Sequence, residues 1–257
     1  MPAERAPAFL TAEWRYIALL NYEVPAALLE PYVPRGTELD RHDGRAFLSL
    51  VGFRFLHTRV LGCPVPFHQH FEEVNLRFYV RRTVEGEVRR GVTFIREIVP
   101  RRAIALVARA VYNEPYLALP MQSDVSTGTG GEPVRVRYAW QSAAGWHHLA
   151  LTGSGMPILP AAESEAAFIA EHYWGYTRQR DGRTIEYRVA HPAWRVWHGA
   201  AAQISGDMGA FYGSAFGEVF AAASTSAFLA EGSAVTVFRP AMLPSAVSSS
   251  ARKVPSN

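Results

Sequence analysis

The segment His68 to Arg82 (HQHFEEVNLRFYVRR) sets acid, amide, base and phenol at alternating positions. On an extended strand successive side chains point to opposite faces, so Glu73, Asn75, Arg77 and Tyr79 share one face. Val74, Leu76, Phe78 and Val80 share the other. A solvated outer face accounts for such a row. The lumen of a closed sheet accounts for it better, since a mixed acid-amide-base-phenol set suits ligand binding. In a lumen, Glu73, or Glu97 on the answering strand, is a candidate general acid/base, its pKa raised by burial or lowered by an arginine neighbour. Arg77 would orient an anion and Asn75 would supply hydrogen bonds. Arg101 and Arg102 are either a solvated pair or a second anion clamp, because a guanidinium fork binds a planar carboxylate bidentately and keeps its charge when buried. His191, beside Pro192 and followed by Trp194, reads as a histidine tying down a turn. His68, His70 and Glu72 have a spacing able to hold a metal on one strand face. That face continues as Val74, Leu76 and Phe78, so a loop-to-strand edge is the preferred reading and neither metal nor cofactor is expected.

Other chemistries find no support. No G-x-S-x-G elbow occurs, and GTGG at Gly128 to Gly131 is followed by no Lys-Ser/Thr, so it is not a phosphate loop. The formal net charge is only +3, and arginine pairs are interspersed with glutamates; a nucleic-acid footprint would be an uninterrupted basic cluster. No apolar run approaches the ~20 residues of a spanning helix, so no membrane partner is expected. The N-terminus lacks the pattern of a secretory signal, and Cys63 is the single cysteine, which together lead to an expectation of a cytoplasmic location. Of the 26 basic residues all but Lys253 are arginine, and arginine cannot act as an imine-forming amine.

These residues need elements to position them. WRYIALLNYEV (Trp14 to Val24) reads as a strand, PAALLEPYVP as a short helix limited by prolines, and Ala46 to Leu56 as an apolar strand. His68 to Arg82 and Gly91 to Pro100 form a long hairpin around Glu85 to Glu87. Arg101 to Tyr112 is a helix or a buried strand. Ser123 to Pro133 reads as a loop, Val134 to Trp140 with Trp146 to Gly153 as a second hairpin, and Ser164 to Tyr173 as a helix. Thr184 to Ala190 and Ala193 to Ile204 read as strands, Ala210 to Ala223 as one helix and Ala234 to Arg239 as a final strand. The expected organisation is one domain over residues 1–240 with a disordered tail over 241–257. Its class is α+β, a large curved antiparallel β-sheet closing into a barrel or double cone with a few short helices.

Several segments, in order, resemble the YqjF-like bacterial proteins, an uncharacterised family of the acetoacetate decarboxylase-like superfamily. They are NYEVPAALLEPYVPRGTELD, FEEVNLRFYV, FIREIVPRRA, FIAEHYWGY, AHPAW and STSAFLAEGSAVTVFRP, spanning roughly Trp14 to Pro240. The resemblance implies a ligand pocket inside the sheet. In the decarboxylase a proline followed by two lysines supplies the imine-forming amine and its charged neighbour. The similar position here is Pro100-Arg101-Arg102, which implies that the lysine chemistry is lost. The same resemblance places Glu73, and by a looser match Glu97, at the pocket. Through AHPAW it makes a pocket wall an equal alternative for His191 and Trp194. Three functions remain open: a lysine-independent enzyme acting on a small carboxylate or oxo acid, a non-catalytic small-ligand binder or sensor, and a metal-dependent variant using His68, His70 and Glu72. A homo-oligomer is compatible with all three.

Overall fold

The computed structural model describes residues 6–127 and 132–244. Its strands are β1 (Ala8–Val24), β2 (Glu38–Leu39), β3 (Ala46–Val60), β4 (Cys63–Pro64), β5 (Phe71–Val84), β6 (Glu87–Val99), β7 (Tyr116–Ala118) and β8 (Met121–Ser126). They continue with β9 (Val134–Ser142), β10 (Gly145–Gly153), β11 (Trp174–Arg178), β12 (Thr184–Ala190), β13 (Val196–Ser205), β14 (Ser226–Phe238) and β15 (Ala241–Met242). Five short helices accompany them: α1 (Ala26–Leu29), α2 (Arg102–Val111), α3 (Glu165–Ala170), α4 (Met208–Tyr212) and α5 (Ser214–Ala221).

The sheet closes on itself. Its hydrogen-bonded order runs β12-β11-β6-β5-β3-β1-β14, and β12 pairs again with β14 through Val189–Val237 and Ala190–Thr236. Along that ring β11 meets β6 in parallel, and β7 joins the free flank of β6 in parallel too; the other ring pairings are antiparallel. From β14 the sheet continues outward through β13, β10, β9 and β8.

Alternation along the strands makes two cores. Ala18, Leu20 and Tyr22 of β1 pack with Val74, Leu76, Phe78 and Val80 of β5 against Val136, Tyr138 and Trp140 of β9 and Phe216 and Phe220 of α5. The opposite faces look into the ring, where Ile17 and Leu19 meet Val51, Phe53, Phe55, Phe71 and the aromatic ring of Phe168 from α3. The face expected to be apolar on β5 is therefore the outer one, covered by the β13-β10-β9-β8 extension of the sheet, and the polar row faces inward.

Several boundaries differ from the sequence reading. β1 starts at Ala8, because its first residues pair with the end of β14, a contact invisible locally. Met121–Ser126 is an edge strand on β9 and not loop, its side chains half-buried or exposed and its apolar alternation weak. β11 lacks a turn signal before it. β14 starts at Ser226, running through Gly232 (φ 76°), which local reading takes as a break. The single helix expected over 210–223 is two, split at Gly213 with φ 103°, a conformation that glycine adopts without steric cost. Ala241–Met242 pairs with β12. Lys253 and the glycines 128–131 lie outside the described residues, and among the described residues no helix is long and apolar enough to cross a membrane.

Candidate functional site

A cavity of about 280 Å³ opens inside the ring. It is bounded by β1, β3, β5, β6, β12 and the inner face of α2, and its walls are mainly apolar: Trp14, Ile17, Phe53, Phe55, Phe71, Ile104 and Val107 among others. Against that background its polar residues stand together. The inward face of β5 delivers Glu73, Asn75 and Arg77, and β6 delivers Glu97. The segment between α2 and β7 brings Glu114, and the parallel pairing of β7 with β6 sets Tyr116 beside Glu97. β12 adds Tyr187, and His172 follows α3.

The three glutamates are all buried. Tyr116 Oη donates to Glu73 Oε2 (2.9 Å) and Asn75 Nδ2 donates to Glu73 Oε1 (3.1 Å). Thr177 Oγ1 (2.5 Å) and Tyr187 Oη (2.8 Å) both donate to Glu114 Oε1. Asn75 Oδ1, Arg77 Nε, Glu97 Oε2 and Glu114 Oε2 are buried without a protein partner. Both ring nitrogens of His172 are likewise unmatched, and because a buried polar atom left unpaired is costly, this cluster of unsatisfied groups singles out the cavity as a candidate site.

Burial dominates the electrostatics. It pushes the Glu73 carboxyl up to about 7, against the lowering pull of its bonds from Asn75 and Tyr116 and of the Arg77 charge. Glu114 is likewise pushed up to about 7 by burial, offset by Thr177 and Tyr187 and reinforced by Glu73. Glu97 is held well above the carboxylate range by burial, then by the charges of Glu114 and Glu73. Burial and the neighbouring carboxylates also hold the Tyr116 and Tyr187 phenols protonated. His172 is kept neutral, held well below the usual imidazole value by burial and then by the Arg90 and Arg77 charges. The site thus keeps proton donors and a proton acceptor side by side near neutral pH.

Among the described residues Arg77 is the only guanidinium lining the cavity. Its Nη2 donates to Ile169 O (3.3 Å), and the group lies 5.7 Å from the Tyr79 ring centroid. Tyr79 is buried but does not line the cavity: its hydroxyl shares a 2.6 Å hydrogen bond with Ser49 Oγ and its ring stacks on His172 at 4.6 Å. His191 and Trp194 do line the cavity and stack on each other at 4.2 Å. His191 Nδ1 also meets Pro192 O (2.9 Å), so the wall and turn-tie readings both hold.

Like Tyr79, Arg101 and Arg102 were expected to bind ligand and are corrected, whereas the row His68, His70 and Glu72 is the loop-to-strand edge that the sequence favoured. Arg101 and Arg102 are exposed and do not line the cavity, because β6 ends at Val99 and the chain turns into α2, whose inward positions are Ala103, Ile104, Val107 and Ala108. His68 and His70 precede β5 in a turn, so they do not alternate along its face with Glu72. His68 Nδ1 lies 2.7 Å from Pro66 O, and no group of three potential metal ligands occurs among the described residues. Glu114, Tyr116, Tyr187 and His172 escaped the sequence reading. The only local trace of the first two is NEPY, with Asn113 at φ 56° turning the chain back toward β6.

The family model for an uncharacterized conserved protein, DUF2071, matches residues 11–234. The uncharacterized protein YqjF of Bacillus subtilis (strain 168) is 30% identical over 193 residues, which cover 75% of this chain and 76% of YqjF. Among solved structures, the enduracididine biosynthesis enzyme MppR complexed with pyruvate superposes with a TM-score of 0.65 at 14% identity, over 93% of this chain and 91% of its own. An acetoacetate decarboxylase from Legionella pneumophila superposes with a TM-score of 0.63 at 13% identity, over 95% of this chain and 92% of its own. At such identities the likeness carries the fold alone, which is acetoacetate decarboxylase-like. Family match, sequence identity and fold agree, and the chain belongs to the DUF2071 family of uncharacterized conserved proteins.

Proposed function

We propose that the cavity binds a small oxo acid and enolises it by carboxylate acid–base chemistry, without a lysine. The observation that carries this reading is the convergence of Glu73, Glu97 and Glu114 on one cavity wall beside Arg77. Arg77 takes the ligand carboxylate through its guanidinium, a charge-assisted contact. Glu97, the carboxyl with two neighbouring carboxylates raising its pKa, stays protonated and donates to the carbonyl oxygen. An apolar site that keeps a carboxylic acid neutral equips it to stabilise an enolate in this way. Glu73, pushed up to about 7, is the base: it removes a proton from the carbon next to the carbonyl, the electron pair moves onto the carbonyl oxygen, and reversal returns a proton from solvent. Near neutral pH such a group is partly ionised and strong enough to accept the proton. The pyruvate in the MppR structure favours an oxo acid as the probe. Lys253, the sole lysine, has no part in this reading.

The test is deuterium exchange at the pyruvate methyl group in D2O, followed by proton NMR. The wild type accelerates exchange, Glu73→Gln lowers the rate by about 100-fold or more, as expected for loss of a positioned base, and Arg77→Ala acts mainly through KM. The rate rises with pH through about 7 as Glu73 ionises. Binding without any exchange would reduce the cavity to a carrier site, and exchange unchanged in Glu73→Gln would remove the proposed base.

A further inference from the structure

The lining of the cavity is far more apolar than a ligand the size of pyruvate needs, and the helix over it is short of packing partners. In α2 only Ala105 is buried. Ala103, Ile104, Val107 and Ala108 turn toward the cavity, yet Val107 remains 43% exposed, and Leu106 beside it is 68% exposed. An amphipathic helix in a finished core buries its apolar stripe against protein. Here Ala105 and Ile104 pack on the ring core, while Val107 and Ala108 border the cavity, whose lining also includes Phe9 and Leu10 of β1, Val60 of β3, and Val65.

The helix is held instead at its C-terminal end. Arg109 Nε donates to Tyr116 O (2.7 Å), Tyr112 Oη to Phe238 O (3.0 Å) and Asn113 Nδ2 to Arg178 O (2.9 Å). At its start, Arg101 supplies no side-chain cap. The arrangement is a lid anchored at one end, with an apolar underside that contacts too little. The carboxylates occupy buried positions, while most of the half-buried lining is apolar, its polar members being His68, Arg77, Tyr116 and His191. A ligand with its polar head at Glu73, Glu97 and Arg77 therefore directs the rest of its structure toward apolar walls.

We infer that the ligand is an oxo acid with an apolar tail, alkyl or aryl, and that the tail completes the packing between α2 and the ring. This rests on the oxo-acid reading above and deepens it by naming the class of side chain. The cavity of about 280 Å³ lies at the lower edge of the ~300–1,000 Å³ usual for small-molecule sites. That suits one medium-length chain or one phenyl ring beyond the acid group, and excludes nucleotide-sized ligands.

Calorimetric titration of the full chain with pyruvate, α-oxobutanoate, α-oxohexanoate, α-oxooctanoate and phenylpyruvate tests the inference. Each methylene that enters the cavity is expected to tighten Kd about fourfold, the value for full burial of one such group, until the volume is filled. Hydrogen exchange of the amides in 102–111 should slow with α-oxooctanoate or phenylpyruvate and not with pyruvate. Val107→Ser, at a partly exposed position, should reduce the gain per methylene, read as the slope of log Kd against chain length. Affinity that is flat or falls with chain length overturns the inference while leaving the oxo-acid reading intact. Absence of binding by every member of the series overturns both. A chain-length gain that persists in Val107→Ser with no protection of α2 places the tail elsewhere and removes the lid.

Discussion

Arg77 and the pair Arg101-Arg102 carry the same chemistry in principle and differ only in where the backbone puts them. Arg77 stands on an inward position of β5 with Nε buried and unpartnered, whereas both members of the pair are exposed at the start of α2. Replacing Arg101 and Arg102 together by alanine should therefore change unfolding free energy by no more than about 0.5 kcal/mol, the usual range for exposed sites. Pyruvate affinity should also stay the same. Arg77→Ala should weaken pyruvate binding about tenfold or more, the loss of one hydrogen bond to a charged group. Isothermal titration of the two variants distinguishes the sites, and a tenfold loss in the double variant would return the clamp to α2.

At the scale of elements, the site depends on close contacts that set side chains on neighbouring strands. Gly175 of β11 has no side chain because the Tyr187 ring of β12 fills that space: a Cβ added there would lie 2.1 Å from Tyr187 Cζ. Tyr187 in turn donates to Glu114. Gly175→Ala must displace the ring, at a cost of about 1–3 kcal/mol for an overpacked position. It also removes one of the two hydrogen bonds that hold the Glu114 pKa down, so that pKa should rise further. Urea denaturation measures the first effect, and carboxyl titration by carbon NMR measures the second. An alanine variant as stable as the wild type, with Glu114 titrating unchanged, would show that β11 does not position Tyr187. Much at this scale was legible in the chain. The β5–β6 hairpin and the assignment of Glu73, Asn75 and Arg77 to one face follow from alternation alone, since period-two patterning is a local property. Tyr116 was not legible, because its place beside Glu97 comes from a parallel pairing between β7 and β6 across the whole of α2.

Over the whole molecule, burying three carboxylates in one cavity makes stability depend on pH. Glu73 and Glu114 have folded-state pKa values raised from 4.5 to about 7. Between those values the folded protein retains protons that the unfolded chain has released, so stability falls as pH rises through the window. The contribution is fully present below about pH 4.5 and gone above about pH 7. His172 and His191 act with the opposite sign: their depressed pKa values favour the folded state at high pH, and that contribution is lost on acidification. Glu73→Gln isolates the carboxylate, since the amide is uncharged throughout. Relative to the wild type it should gain roughly 3 kcal/mol in unfolding free energy between about pH 5 and pH 8, the equivalent of the Glu73 displacement. Denaturant midpoints at the two pH values check this, and equal differences at both would mean that Glu73 is not desolvated.

The sequence by itself determined the patterning: which face of β5 is apolar, that Glu73, Asn75 and Arg77 lie together, that the class is α+β with a curved sheet, and that an imine-forming lysine is scarce in this chain. Only the tertiary structure decided which face looks into a cavity, because both faces of β5 are covered, one by the sheet's β13-β10-β9-β8 extension and one by the ring's own interior. It alone brought Glu114, Tyr116, Tyr187 and His172 to the cavity that Glu73 lines, and it alone turned Arg101 and Arg102 outward. The physical reason is that alternation is written in neighbouring residues, whereas ring closure through β12 and β14 joins residues far apart in the chain.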